Sequence, residues 1–289
     1  WSGNTVSQVA GYHRSGSAAL FGSGGETPLH IDANRTLRRV GVLASATHHR
    51  GKHVLKTGVE ASRLSLREDF SFFLTDADGG EEAELSDGAL DHDEDDPFVF
   101  GGSARPTLFA FYIQDSIRFG QGLTVDFGVR ADRTRMLKAA SEWSPRLGAA
   151  YHVPDSGTVS RGSDDRFFQP PQAENLLLGS SEEARELSPF VDESIGGGAA
   201  LEPERQWATE LGVNHALPGG VRLDASYWRR RVENAGDPNV LFGTTIFVPN
   251  SIARGKADGV DVRLELPRRR GTSGYLSYTN SRVVQYGPV

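Results

Sequence analysis

The chain has no cysteine at all, so neither a disulfide framework nor a cysteine metal site is open to it, and nothing about its redox compartment follows. It also lacks long apolar runs. No window approaches the roughly 18 uncharged apolar residues of a transmembrane helix, which excludes a helical membrane protein. At the N-terminus there is no initiator Met, no basic n-region and no apolar h-region before Trp1, and the sequence stops at Gly287, Pro288 and Val289 just after a strand-like run. The expectation is a mature product or an internal piece cut from something longer. A basic patch is missing too. Eleven of the 38 acidic residues fall between Asp76 and Asp96, a stretch without Lys or Arg, which leaves 27 acids against 31 bases elsewhere. The acidity therefore belongs to one segment and the bases are scattered, which argues against nucleic-acid binding.

What is present is alternation. From Leu123 the odd positions are Leu123, Val125, Phe127, Val129 and Ala131, while the even ones are Thr124, Asp126, Gly128, Arg130 and Asp132. This is a strand with one apolar and one charged face. Its partner ends at Phe119, and Gly120, Gln121 and Gly122 supply a short reversal, so residues 105 to 135 read as a hairpin. Similar units precede and follow it. Thr5 to Arg14 reads as a first strand, then a Gly/Ser-rich connection from Ser15 to Asn34, a strand from Arg35 to His48 and another from Lys52 to about Phe70. Later strands begin near Trp143, Thr158, Trp207, Val221, Val260 and Tyr275.

That makes about eleven strands whose connections alternate between short and long. The short ones lie near residues 50, 121, 155, 218 and 270; the long ones are 15 to 34, 72 to 104, 169 to 201 and 235 to 252, with a short connection near 138 breaking the rule. Short turns at one rim and long loops at the other is the layout of an all-β, antiparallel transmembrane barrel with periplasmic turns and extracellular loops. A water-soluble antiparallel sandwich also shows period-2 strands. Three features favour the barrel. The apolar faces are thin; the opposite faces carry mid-strand charges such as Asp126, Arg130, Asp224, Asp261, Arg263 and Glu265; and aromatics such as Phe70, Phe72, Trp143, Trp207, Tyr227 and Trp228 gather near strand ends, as interfacial girdles would.

The segments FAFYIQDSIRF, LTVDFGVRAD, WSPRLGAAY, LEPERQWATELGV, LDASYWRRRVEN and VPNSIARGKADGVDVRLEL, ending in GYLSYTNS, run in that order through residues 108 to 281. In order and spacing they resemble the barrel region of TonB-dependent outer-membrane receptors, and residues 35 to 70, with HVLKTGVEASRL, fit a preceding hairpin of such a barrel. The resemblance implies a plugged barrel of roughly 22 strands in the outer membrane, importing a scarce nutrient such as a siderophore, cobalamin, glycan or peptide with energy passed through TonB. It implies outer-membrane lipid as a partner, and an unidentified small ligand at the extracellular loops. The plug, the TonB-contacting segment and the last barrel strands of such receptors have no counterpart in the sequence, so residues 1–289 read as one partial barrel domain. Asp164 and Asp165 stand where related sequences tend to carry small and aromatic residues. A diffusion porin without TonB coupling would share the wall.

Chemistry-bearing clusters are few. Asp87, Asp91, Asp93, Glu94, Asp95 and Asp96 are the densest carboxylates, yet an EF-hand loop begun at Asp91 would need Gly sixth and Glu twelfth and finds Asp96 and Gly102. A solvated extracellular loop without fixed contacts is the expectation for Asp76 to Asp96. His48, His49 and His53 bracket a turn and read as exposed imidazoles instead of metal ligands. Arg229 to Arg231 and Arg268 to Arg270 read as interfacial anchors or lipid head-group contacts. Glu202, Pro203 and Glu204 match the family's loop-to-strand entry and are given a structural role. No nucleophile elbow, phosphate loop or catalytic carboxylate pair appears, so no catalytic, cofactor-binding or metal residue is assigned and no enzyme or cofactor is expected. Val125, Phe127 and Val129 should face lipid, and Asp126, Arg130 and Asp132 the lumen. With eleven strands, those near Thr5 and Tyr275 run the same way and should not pair, unless a twelfth strand lies hidden between Asn239 and Phe247.

Overall fold

The computed structural model describes residues 3–23, 25, 28–82, 85, 87–181, 202–240, 247–269 and 271–286. It is one antiparallel sheet. Its strands are β1 (Thr5–Leu20), β2 (Leu29–Arg50), β3 (His53–Leu74), β4 (Phe98–Ala104), β5 (Thr107–Phe119), β6 (Leu123–Arg135), β7 (Ala139–Val153), β8 (Thr158–Gln169), β9 (Glu204–Ala216), β10 (Arg222–Val240), β11 (Phe247–Arg269) and β12 (Thr272–Tyr286). Two short helices, α1 (Ala77–Glu82) and α2 (Asp87–Leu90), lie between β3 and β4. Neighbours in sequence are neighbours in space from β1 to β12, with one exception. β4 adds to the far part of β3, at Leu66 to Phe72, while β5 pairs its near part from His53 to Arg63. β1 and β12 do not pair with each other among the described residues, as the odd count of through-strands requires.

Each of the five turns at the short-turn rim holds a residue with positive φ: Gly51, Gly120, Asp155 with Gly157, Gly219 with Gly220, and Gly271. Left-handed backbone favours Gly, Asn and Asp, which explains why these five turns were readable from Gly and Asp, whereas the reversal at 136–138 between β6 and β7 is made without it.

Two of the long connections are shorter than the sequence suggests. β1 runs on to Leu20 and β2 starts at Leu29, so the Ser15 to Asn34 stretch is mostly ladder, with Ser15 opposite Arg38 and Leu20 opposite Ala33. Likewise β10 and β11 pair out to Val240 and Phe247, where a loop from 235 to 252 was expected. These pairs belong to β10 and β11 themselves and add no further strand among the described residues, and 241–246, where most of the hidden strand was expected, lie outside them. Backbone hydrogen bonds carry a strand past the point where its side chains cease to alternate.

The two faces differ as anticipated. Phe127 is 46% exposed, Leu147 56% and Leu211 59%, and all three lie on the outer face. On the other face, Arg130 and Asp132 join Glu60 of β3. No second sheet covers either side among the described residues, which removes the soluble sandwich: its apolar face would be a buried core.

Candidate functional site

The inner face is built from charged side chains seated over small residues. Glu60 lies between Arg39 of β2 (3.4 Å) and Arg130 of β6 (3.6 Å), and Arg130 also holds Asp132 at 2.9 Å. Arg130 can span β5 because the residue between Glu60 and Asp132 is Ala110, only 4% exposed. A second network crosses β8 to β10: Arg161 meets Asp224 at 2.8 Å and Glu210 at 3.5 Å, and Asn214 donates to Asp224 at 3.1 Å. Arg161 passes over Gly212, where a Cβ would come within 2.7 Å of its guanidinium carbon. In the same way Tyr112 lies over Gly58 and Trp228 over Gly259, whose added Cβ would meet the rings at 2.6 and 2.7 Å. Glycine inside these strands makes room for a large neighbour on the lumen side.

At the loop end the inner face turns apolar. Leu29, Ile31, Phe70, Phe72, Leu74, Ala89, Phe98 and Leu178 form a buried cluster, with Phe72 and Phe98 stacked at 5.4 Å and His92 edge-on to both. The segment after β8 crosses the inner face to reach it. Arg35 binds Glu174 at 2.5 Å and Asn175 at 3.2 Å, and the carboxylate of Glu68 accepts the backbone N–H groups of Leu177 and Leu178, both at 3.0 Å. β3 and β8 are separated in the sheet by β5, β6 and β7, so a contact between the loop after β8 and β3 is a chord across the concave side. Glu68 is 4% exposed. It sits beyond the end of the β3–β5 ladder, outside the bilayer-crossing stretch, and burial pushes its carboxyl above the ordinary value while the N–H groups of the leucines and Arg35 pull the other way.

The acidic segment Asp76 to Asp96 differs from the solvated loop that was expected. Leu85, Ala89 and Leu90 pack on the apolar cluster, and its backbone is tied to β3 by Leu74 N to His92 O (2.9 Å), while Gly80 N to Asp76 O (3.0 Å) closes a turn within it. A few apolar residues among eleven acids suffice to dock it, because they meet an apolar surface already formed by β2 and β3. Within the segment, Asp93 Oδ1 accepts the N–H groups of Asp95 and Asp96 at 2.9 Å and so shapes a turn. The side chain of Asp87 lies outside the described residues, while Asp91, Glu94, Asp95 and Asp96 are exposed.

The remaining sequence candidates stay apart. His48 bonds Thr5 at 2.8 Å and His53 bonds Asp115 at 2.6 Å, and no group of three metal-ligating side chains exists among the described residues. Arg229 and Arg231 point outward, Arg230 lies over Trp228 at 5.8 Å, and Arg268 is exposed. Glu204 accepts the Gly236 N–H at 2.9 Å, and Glu202 and Pro203 receive the Asn234 amide. Asp164 accepts from Trp207 Nε1 at 2.9 Å and Thr209 Oγ1 at 2.6 Å, whereas Asp165 lies opposite Arg146. Glu68, Arg35 and Leu176 to Leu178 were not singled out from sequence. A signal existed for Glu68, the lone charge in the buried phase Leu64, Leu66, Glu68, Phe70, Phe72.

The wall and its inward loops can be compared with known proteins. The fold resembles the ferric yersiniabactin uptake receptor FyuA of Yersinia pestis, with a TM-score of 0.67 at 12% identity over 99% of this chain and 41% of that one. It also resembles the copper transporter OprC (TM-score 0.61, 14% identity, 96% of this chain and 43% of that one). The outer-membrane ferripyoverdine receptor of Pseudomonas aeruginosa, bound to ferripyoverdine, gives a TM-score of 0.54 at 15% identity over 97% and 38% of the two chains. At such identities the likeness speaks to fold alone, and the chain spans about two fifths of the length of those receptors. No protein of curated function matches in sequence. Residues 1–287 match the family described as "TonB dependent receptor-like, beta-barrel", so with its single antiparallel wall, lipid-facing apolar strands and charged inner face this chain belongs to the TonB-dependent receptor β-barrel family of the Gram-negative outer membrane.

Proposed function

We propose that these residues form one barrel domain whose wall and loops capture a small nutrient complex for TonB-driven uptake, with an organic metal chelate as the ligand. The observation that carries the reading is the clasp on the inner face, where the segment after β8 docks through Glu68 and Arg35 beside the Phe70, Phe72 and Phe98 cluster. Two extracellular connections converge there on an aromatic and aliphatic surface above a polar lumen, an arrangement that suits a ligand with an apolar organic body and a charged centre. A freely diffusing solute needs no such convergence. The fold likenesses to a ferric yersiniabactin uptake receptor and a copper transporter agree with this choice without deciding the ligand.

The experiment is uptake of labelled ferric siderophores by cells carrying or lacking the receptor, repeated after deletion of TonB. Accumulation that depends on both proteins is the expected result. Passage that persists without TonB would indicate a diffusion porin, and no uptake of any chelate would overturn the ligand class.

A further inference from the structure

β4 has a partner on one side only. Its seven residues, Phe98–Ala104, pair with Leu66 to Phe72 of β3, in the register that β5 continues below with His53 to Arg63. On the other side the sheet stops short of it. β6 ends at Arg135, opposite Thr107 of β5, and turns back through 136–138 into β7, so among the described residues nothing continues the ladder beside β4. The phase of the open backbone follows from two bonds at even-numbered positions, Leu64 N–H to the Pro106 carbonyl (2.9 Å) and Arg118 N–H to the Lys52 carbonyl (3.0 Å). In an antiparallel ladder such bonded pairs recur at every second residue. Phe98, Phe100, Gly102 and Ala104 therefore bond to β3, while Val99, Gly101 and Ser103 turn their N–H and C=O groups to the open side, where none has a partner among the described residues.

The edge is also unguarded. Sheets blunt their open edges with charges, prolines or bulges, whereas FVFGGSA has no charge, no proline and an unbroken register. Val99 is 73% exposed, and Gly101 and Ser103 are exposed as well. On the inner face Phe98 and Phe100 belong to the apolar cluster at the loop end. Charge marks the foot of the edge. Arg105 follows β4 directly, Arg135 lies opposite Thr107, and Lys138 stands in the turn beyond; all three are exposed, and none makes an ion pair or a side-chain hydrogen bond among the described residues. A second copy of the receptor does not suit this edge. It stands the same way up in the membrane, so two β4 edges side by side would run parallel and bring like cations to equal height.

We infer that the open edge of β4 receives an extended, acidic segment of a soluble extracellular protein as an added antiparallel strand. Such a strand continues the line of β6 away from the membrane, with its first residues beside Arg105, Arg135 and Lys138 and its main chain bonded to Val99, Gly101 and Ser103. Carboxylates at its start meet the three cations, and an apolar side chain at every second position extends the surface of Phe98 and Phe100. The docking is independent of which nutrient the barrel imports.

The test uses the intact receptor, purified from outer membranes, and fluorescence anisotropy of the labelled peptide acetyl-Glu-Val-Glu-Val-Thr-Val-Thr-Val-amide, whose carboxylates and valines take opposite faces. Saturable binding is expected. R105Q, R135Q and K138Q together should weaken it about eightfold, since exposed ion pairs contribute about twofold each. Gly101→Pro, which removes one edge N–H and no bond to β3, should weaken it about fivefold. Gly101→Ala keeps that N–H, and its Cβ would have Asp69 Oδ1 at 3.6 Å as its nearest atom, so it should bind as the unaltered receptor does. If Gly101→Pro does not fold, two N-methylated peptides decide the matter, one blocked at the valines and one at the other residues: one of the two should lose binding. No binding of the acidic peptide, equal binding when lysines replace its glutamates, equal binding by the Pro and Ala variants, or undiminished binding of both N-methylated peptides would overturn the proposal. TonB-dependent accumulation of the peptide in cells would also overturn it, since the segment would then be cargo.

Discussion

Glu68 accepts the backbone N–H of Leu178 at 3.0 Å across 110 residues of sequence, and through this bond the connection after β8 is fastened to β3. The bond sets a pH dependence. Because burial raises the Glu68 carboxyl, the docked loop holds a proton more readily than the undocked one, in which the carboxyl returns to its ordinary value. Docking is therefore fully favourable below the ordinary glutamate pKa and weakens as pH rises through the raised value. Glu68→Gln should remove that dependence, and Glu68→Ala should loosen the loop by about 1–3 kcal/mol by leaving two buried N–H groups without their acceptor. Hydrogen exchange at Leu177 and Leu178 across a pH series is the measurement; a flat profile in the unaltered receptor would count against it.

Phe127 stands on the outer face at 46% exposure, opposite Leu147 and Asp115. Its replacement by Arg should cost about 2–4 kcal/mol in lipid, the depth-dependent penalty for a charge near the midplane of a barrel wall. Asp126→Asn, one residue away on the inner face, should cost far less. Denaturant unfolding from vesicles measures both, and equal costs would contradict the assignment of faces.

Much of the wall was legible because lipid and lumen impose opposite demands on alternate residues, as in β5 and β6, where the hairpin expected over residues 105 to 135 is found from Thr107 to Arg135. The loop end was not, because the phase of the pattern flips there. Along β3 the apolar residues are odd-numbered up to Ala61, facing lipid, and even-numbered from Leu64 to Leu74, facing the inward loops. Read as one strand, Leu64, Leu66, Phe70 and Phe72 look like a break in alternation. For the same reason Leu29, Ile31 and Ala33 read as connection, although they pair with Leu74, Phe72 and Phe70. The clasp was invisible for another reason: Glu68 and Leu178 are joined only by tertiary structure, and no local pattern records the partner.

Gly259 lies opposite Trp228, whose indole N–H donates to Asp261 at 2.8 Å. A Cβ there would come within 2.7 Å of the ring and within 2.9 Å of the Asn280 carbonyl, and the carbonyl is backbone that cannot rotate away. Gly259→Ala should therefore displace the indole, break its bond to Asp261 and destabilise the wall by about 1–3 kcal/mol. Gly16→Ala, with nothing within 4 Å, serves as the control. Tryptophan fluorescence should shift only in the first variant, and an unshifted spectrum would show that the ring does not depend on the missing side chain.

Phe72 is fully buried and touches what holds the acidic segment in place: it stacks on Phe98 and meets His92 edge-on at 5.6 Å. The segment has eleven carboxylates between Asp76 and Asp96 that repel one another, so its docking depends on a small set of apolar contacts through Leu85, Ala89 and Leu90. Removing the ring leaves a cavity under those contacts, and a buried Phe→Ala change costs about 3–5 kcal/mol. That cost should fall on the loop more than on the wall, since β3 keeps its ladder to β2 and β5 whatever residue occupies position 72. Phe72→Ala should accordingly make the acidic segment sensitive to limited proteolysis at Glu and Asp sites while the barrel stays resistant to detergent at room temperature. Raising the salt concentration should partly restore protection in the variant by screening the repulsion among the carboxylates. Cleavage unchanged by the substitution would mean that the segment is held by its backbone bond to Leu74 instead of by the aromatic cluster.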